Sequence, residues 1–290
     1  MNGLTHFLTG VLIQVAVFSV IFDVVGRCKP RDSEHSLVES HGPVLLACAF
    51  VATGILAFFS HGFLDSISRY TYHDGSPDKW ETPFYGPWTY GMLAAAGIFA
   101  FWMIWRDTRF VFGMAFGLFY DLLDHNTFRV IEHVILQNLV DAGTISLGNT
   151  DVIPFSFHSI ARWDGVLDAI DNAIVGHPVN HNENPLASIV EIILLVGMFA
   201  GLFLLNRTRV MPPSRHEQTK ISKILVFLIF ALWISDDVWL GLLGNVPGGF
   251  GPIILIGATF GTIGILLVVL LHLQRKKPSS RLPVHSTSSA

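Results

Sequence analysis

His61 and Asp65, four residues apart in SHGFLD, share one face if the segment is helical. Such a pair can bring an imidazole and a carboxylate to one metal ion, or use the carboxylate to orient the histidine. His73 follows a short aromatic segment and is expected to fold back as a third ligand. A second set, Asp121, Asp124 and His125 in FYDLLDH, falls at i, i+3 and i+4, again one helical face. Two carboxylates crowded beside an imidazole perturb one another's ionisation unless a cation neutralises them, and a divalent metal is the economical answer. Asp236 and Asp237 stand between Trp233 and Trp239 inside an apolar run. A charge at the centre of a membrane helix costs roughly 2.5–3.5 kcal/mol on insertion scales, so acids kept there are functional candidates. Adjacent residues point about 100° apart, so only one of the two addresses a given centre. Glu191 is placed similarly, and His6 stands at the start of the first apolar run. The plainer alternative is an interfacial histidine, helix-end acids bonded to backbone, and neutral carboxyls fastening helices.

The donors mix nitrogen with carboxylate oxygen, which suits Zn²⁺ and also Mn²⁺ or Fe²⁺. Such an ion lowers the pKa of a bound water toward ~7 and polarises a substrate oxygen. The candidate metal ligands are His6, His61, Asp65, His73, Asp121 and His125, with Asp124, Asp236 and Asp237 as candidate catalytic bases. No nucleophile elbow, phosphate-binding glycine loop, dinucleotide fingerprint or H-E-x-x-H occurs, so serine acyl chemistry, nucleotide hydrolysis and zincin proteolysis lack support.

Elements able to hold these residues are set by the composition. The chain is 51% hydrophobic and only 14% charged, against roughly 25% charged in soluble domains, so a bilayer is its solvent. The net charge of −4 is mild and the basic residues are scattered among short loops, which excludes a nucleic-acid patch. Cys28 and Cys48 lack the spacing of a metal knuckle or a redox pair. Apolar stretches near 7–25, 43–60, 88–105, 186–205, 223–243 and 252–273 approach the ~20 residues needed to cross the hydrocarbon core. A shorter seventh, 110–123, ends in acids. The first run lacks a basic leader and a small-residue cleavage site, and is read as a retained span.

Lys and Arg mark cytoplasmic loops. Arg207, Arg209, Arg215, Lys220 and Lys223, and then Arg275, Lys276 and Lys277, fix two of them. Seven spans satisfy the rule at every loop, with the N-terminus outside and the C-terminus cytoplasmic. The expected fold is therefore all-α, a multi-pass transmembrane bundle over 1–274 with outer loops 61–87 and 124–185, and a disordered cytoplasmic tail over 275–290. Plasma or inner membrane is the expected location, with membrane lipid as the partner and no nucleic acid. His6, His61, Asp65, Asp121, Asp124, His125, Glu191, Asp236 and Asp237 then share one outer layer.

Trp163, Val166, Leu167, Ile170 and Ile174 recur at helical spacing while Asp164, Asp168 and Asp171 take another face, which predicts an amphipathic surface helix with solvated acids. His158, His177 and His181 are expected as solvated loop residues. Gly113/Gly117, Gly197/Gly201 and Gly257/Gly261 are small-residue pairs that permit close helix approach.

LTHFLTG (4–10), FFSHGFLDS (58–66) and GLFYDLLDH (117–125) together resemble motifs of predicted membrane-bound metal-dependent hydrolases. The resemblance implies metal held by His6, His61, Asp65, Asp121, Asp124 and His125. The expected function is a membrane-embedded metal-dependent hydrolase acting at the outer leaflet on a lipid or interfacial ester or phosphoester. The alternatives are a cation or proton transporter using Glu191, Asp236 and Asp237, or a membrane scaffold.

Overall fold

A computed structural model describes residues 3–25, 37–73, 82–119, 162–206 and 218–234. Among these the chain is helical throughout, with no strand. Helix α1 covers Gly3–Phe18 and continues as a π-helical segment, Ser19–Val25. Helix α2 covers Leu37–Ile67 and ends in a 3₁₀ turn, Ser68–Tyr70. Then come α3, Tyr85–Arg106, α4, Phe110–Gly117, and α5, Asp164–Val175. A 3₁₀ turn at Pro185–Ala187 leads into α6, Ser188–Asn206, and α7 covers Lys220–Ile234.

Among the described residues, four segments are long and apolar enough to cross a membrane: Gly3–Phe22, Gly42–Tyr70, Tyr85–Arg106 and Pro185–Leu205. They coincide with the first three expected spans and with 186–205. Helix α2 runs past the expected boundary at residue 60, so His61 and Asp65 belong to the helix and not to a loop. The eight residues of α4 rise about 12 Å, short of a crossing. The segments 243–273 and 120–161, with Asp121, Asp124, His125, Glu132, His133 and His158, lie outside the described residues, as do Asp236, Asp237 and the 275–290 tail.

Helix α1 is the axis of the bundle. Leu4, Thr5, His6, Phe7 and Leu8 are all buried, and five consecutive buried positions exceed one turn, so neighbours cover it on every side. Phe7 meets Phe230 of α7, and Phe18 meets Phe50 of α2. The outer helices instead expose apolar stripes, Val51, Ile55 and Phe59 on α2 and Ile189, Ile193 and Val196 on α6. Such stripes are costly in water and natural against lipid.

The tightest crossing joins α1 to α4, and glycine permits it. A Cβ on Gly10 would overlap the Gly113 carbonyl, and one on Gly117 would lie 2.5 Å from the His6 carbonyl oxygen. Pairing His6 with Gly117 and Gly10 with Gly113 makes the two helices antiparallel. Gln14 fastens the same contact: its Nε2 donates to the Arg109 carbonyl at 2.9 Å, and its Oε1 accepts from the Gly113 N–H at 3.1 Å. The second expected pair behaves differently. A Cβ on Gly201 would meet only Leu12 at 3.8 Å, and one on Gly197 nothing within 4 Å. The third pair, Gly257/Gly261, lies outside the described residues.

Candidate metal centre

Beside the α1–α4 crossing, the start of α1 packs against the end of α2. There His6 and His61 stack with ring centroids 4.0 Å apart and planes 17° apart. Asp65, one turn beyond His61, reaches both rings. Its Oδ2 lies 3.3 Å from His61 Nε2, and its Oδ1 lies 3.7 Å from His6 Nε2. One donor atom from each of the three residues falls within 4.8 Å of the others, and both histidines are buried. The His61 and Asp65 pairing follows from the i, i+4 spacing; the arrival of His6 depends on the packing of α1 against α2.

A backbone carbonyl fixes the His61 tautomer. Its Nδ1 lies 2.7 Å from the Gly117 carbonyl oxygen, which can only accept, so Nδ1 carries a proton and, in a neutral ring, the Nε2 lone pair would face Asp65. A lone pair facing a carboxylate calls for a cation between them, either a second ring proton or a metal ion. A histidine donating its remote N–H to a carbonyl is also the common support of a metal ligand. Four donors placed ~2.05 Å from a tetrahedral zinc stand about 3.3 Å apart, and the two nitrogen–oxygen separations here are 3.3 and 3.7 Å. The two distances end on different oxygens of Asp65, and one donor atom from each residue, all within 4.8 Å of one another, could hold a metal ion. An imidazole binds metal in its own plane, so loading would rotate one ring out of the near-parallel stack.

Asp65 keeps a side open. It borders a cleft of about 320 Å³ lined also by Ser66, Ser68, Arg69, Arg162, Asp168 and the 178–182 loop. Three protein donors with access on one side are the pattern of a reactive rather than a structural metal site. Beside His6, Thr5 donates to Glu191 Oε1 at 3.1 Å in a buried contact. Glu191 thus ties α6 to α1 next to the centre.

His73 does not join the three. Thr71 is extended, and the His73 N–H donates to the Asn182 carbonyl at 2.7 Å, which turns the chain toward the 178–182 loop with the His73 side chain exposed. His177 and His181 are also exposed and stay outside the group. The Asp164, Asp168 and Asp171 face, expected simply to be solvated, is turned onto Arg69. Its guanidinium meets Asp164 at 2.9 Å, Asp168 through a short hydrogen bond, and Asp171 at 3.9 Å. Tyr70 donates its hydroxyl to Asp171 at 2.8 Å, and Arg162 pairs with Asp164 at 2.6 Å. Burial raises the Asp164 pKa, but the Arg162 and Arg69 guanidiniums outweigh it and hold the group below the usual carboxylate value. Asp171 is also held low, by the Val179 N–H, the Tyr70 hydroxyl and Arg69. Sequence reasoning missed Arg69, Thr5 and Gly117 as parts of the site. Only Gly117 carried a signal, as one member of a small-residue pair.

Comparison with protein-family models, with curated proteins and with solved structures finds no match for this chain. Its class is therefore defined by its own features: among the described residues, only helices, four of them membrane-capable, and a cluster of two buried histidines and one half-buried carboxylate.

Proposed function

We propose that the chain is a seven-span integral membrane protein, N-terminus outside and C-terminus cytoplasmic, with a divalent metal on His6, His61 and Asp65. Zinc suits this donor set, and Mn²⁺ or Fe²⁺ are its competitors. The activity proposed is hydrolysis of a lipid or interfacial ester or phosphoester at the outer leaflet. One observation carries the reading: two histidines 55 positions apart in sequence converge on one carboxylate that borders an open cleft.

When bound, the ion would supply a Lewis acid and an activated water. The chain's own groups have distinct tasks. His61 is oriented by Gly117, Asp65 draws the two imidazoles to one point, and the cleft admits a polar group while the apolar helices exclude bulk water. Arg69 and Arg162 line the cleft with their charges already matched by aspartates, so the cleft suits an uncharged ester carbonyl, or a phosphoester held chiefly by the metal.

Turnover of short-chain ester and phosphoester lipids by zinc-loaded protein in vesicles tests the activity. Loss of turnover in Asp65→Asn with unchanged folding supports it; turnover equal to wild type overturns it. Cysteine labelling at position 215, expected from the cytoplasmic side only, tests the orientation.

A further inference from the structure

Helix α5 has three faces. At about 100° per residue, Asp164, Asp168 and Asp171 form one sector, Val166, Ile170 and Ile174 a second, and Gly165, Ala169 and Asn172 a third. The sectors are about a third of a turn apart. The acids meet Arg69 and Tyr70. The apolar residues are exposed, Ile174 at 76%. The third face is exposed and carries only small side chains, Asn172 the one polar group among them.

The fastening also fixes how α5 lies. Trp163 donates its N–H to Ser66 Oγ, Asp164 and Asp168 take Arg69, and Asp171 takes Tyr70. The nine residues 163–171, rising about 12 Å from the first to the last, are thus held by residues 66–70, the end of α2 and its 3₁₀ turn, which rise only about 7 Å. The helix therefore crosses the end of α2 instead of running beside it. Gly176 then adopts a left-handed conformation (φ 83°) that ends α5, and the His181 N–H returns to the Arg69 carbonyl at 2.7 Å. The exposed apolar stripe of α2 continues through Phe63, whose ring packs edge-on against Trp163 at 5.3 Å, onto Val166 and Ile170.

We infer that α5 lies on the membrane surface. Its Val166, Ile170 and Ile174 face enters the acyl–headgroup boundary of the outer leaflet, and Arg69 latches its acid face to α2, so that the helix walls the cleft leading to Asp65. This rests on the membrane-spanning reading above. The helix contains no Lys or Arg, so its lipid contact is apolar and does not require anionic headgroups. Three aspartates would ordinarily keep such a helix off a bilayer. Pairing them with Arg69 and Arg162 neutralises two of the three charges and turns the acids away from the apolar face, which lowers that obstacle.

The test uses the full chain with Cys28 and Cys48 replaced, in neutral phosphatidylcholine vesicles, with an environment-sensitive fluorophore on single cysteines. Ile174→Cys is expected to be quenched by a lipid nitroxide near the headgroup and shielded from aqueous iodide, and Asn172→Cys the reverse. Ile193→Cys on α6 is the control for spanning and should respond to a nitroxide deep in the acyl chains. A quenched Ile193 probe with Ile174 open to iodide overturns the α5 inference alone. An Ile193 probe blind to the deep nitroxide overturns the spanning reading itself. Shielding of Ile174 from both quenchers, with disulfide-linked dimers, assigns the face to a second copy and also overturns the inference. With Arg69→Gln, lipid quenching at Ile174 should fall at least several-fold while Ile193 is unchanged; undiminished quenching would overturn the latch.

Discussion

Opposite ends of the bundle treat their cations differently. At the α3–α4 turn, Arg106 lies over the Trp102 ring, Lys223 donates to the Trp105 carbonyl, and Arg109 closes on Asp107 within the turn. Among the described residues, Arg106, Arg109 and Lys223 gather there beside one carboxylate, Asp107. At the α2–α5 end the balance is reversed: Arg69 and Arg162 stand against Asp65, Asp164, Asp168 and Asp171. One end keeps a surplus of positive charge, which is what anchors a cytoplasmic face. The other surrounds its arginines with acid, and leaves the acid surplus beside the cleft where a metal cation would arrive. The contrast separates an orienting use of charge from a structural one.

The contrast is broken most severely by separating the helices that hold it. Gly113→Val should drive a side chain into the Gly10 carbonyl, costing at least the 1–3 kcal/mol of an overpacked core. A fall in thermal midpoint of several degrees in detergent would show it, whereas Gly197→Ala, which meets nothing within 4 Å, should be nearly silent. Equal effects would mean that the α1–α4 crossing is not the bundle's tight contact.

Arginine substitutions probe the two ends directly. Arg69→Gln leaves three aspartates without their shared partner and should cost about 1–3 kcal/mol. Arg106→Gln removes an exposed cation stacked on a ring and should stay within about 0.5 kcal/mol. Chemical denaturation of both variants ranks them, and a larger loss at Arg106 would reverse the assignment of roles.

The smallest effect is in acid. Asp164 and Asp171 are held below the ordinary carboxylate range. Groups with lowered folded-state pKa contribute stability above their unfolded value and lose it as pH falls through the folded one. Docking of α5 should thus be unchanged from pH 9 to 6 and weaken below about pH 4. Proteolysis after Arg162 measures it. Asp107, raised by burial but held lower overall by Arg109 and Gln218, should loosen the α3–α4 turn in the same range, so both ends share this one acid limit.

Much of this was legible in the chain. Four helices long and apolar enough to cross a membrane followed from apolar length, because a membrane helix must satisfy its backbone within itself and so shows as a continuous run. His61 with Asp65 followed from helical spacing, and the amphipathic α5 from its period. What did not follow depends on contacts between segments far apart. His6 meets Asp65 because α1 packs on α2, beside the crossing where Gly10, Gly113 and Gly117 let α1 and α4 touch, and spacing says nothing about which helices touch. The Asp164, Asp168 and Asp171 face read as solvated because acids usually are, while its partner Arg69 lies 95 residues from Asp164. His73 looked equivalent to His61 by residue type, yet an extended Thr71 carries it away.

The central claim is that His6, His61 and Asp65 hold a metal. It is tested most directly by the metal content of purified protein equilibrated with zinc, for wild type, His61→Ala, Asp65→Asn and Glu191→Gln. The account predicts about one ion per folded wild-type chain, as a three-donor site requires, lost in the first two variants and retained when only Glu191, next to the centre, is changed. A folded, metal-free wild type, or full occupancy in His61→Ala and Asp65→Asn, would contradict it.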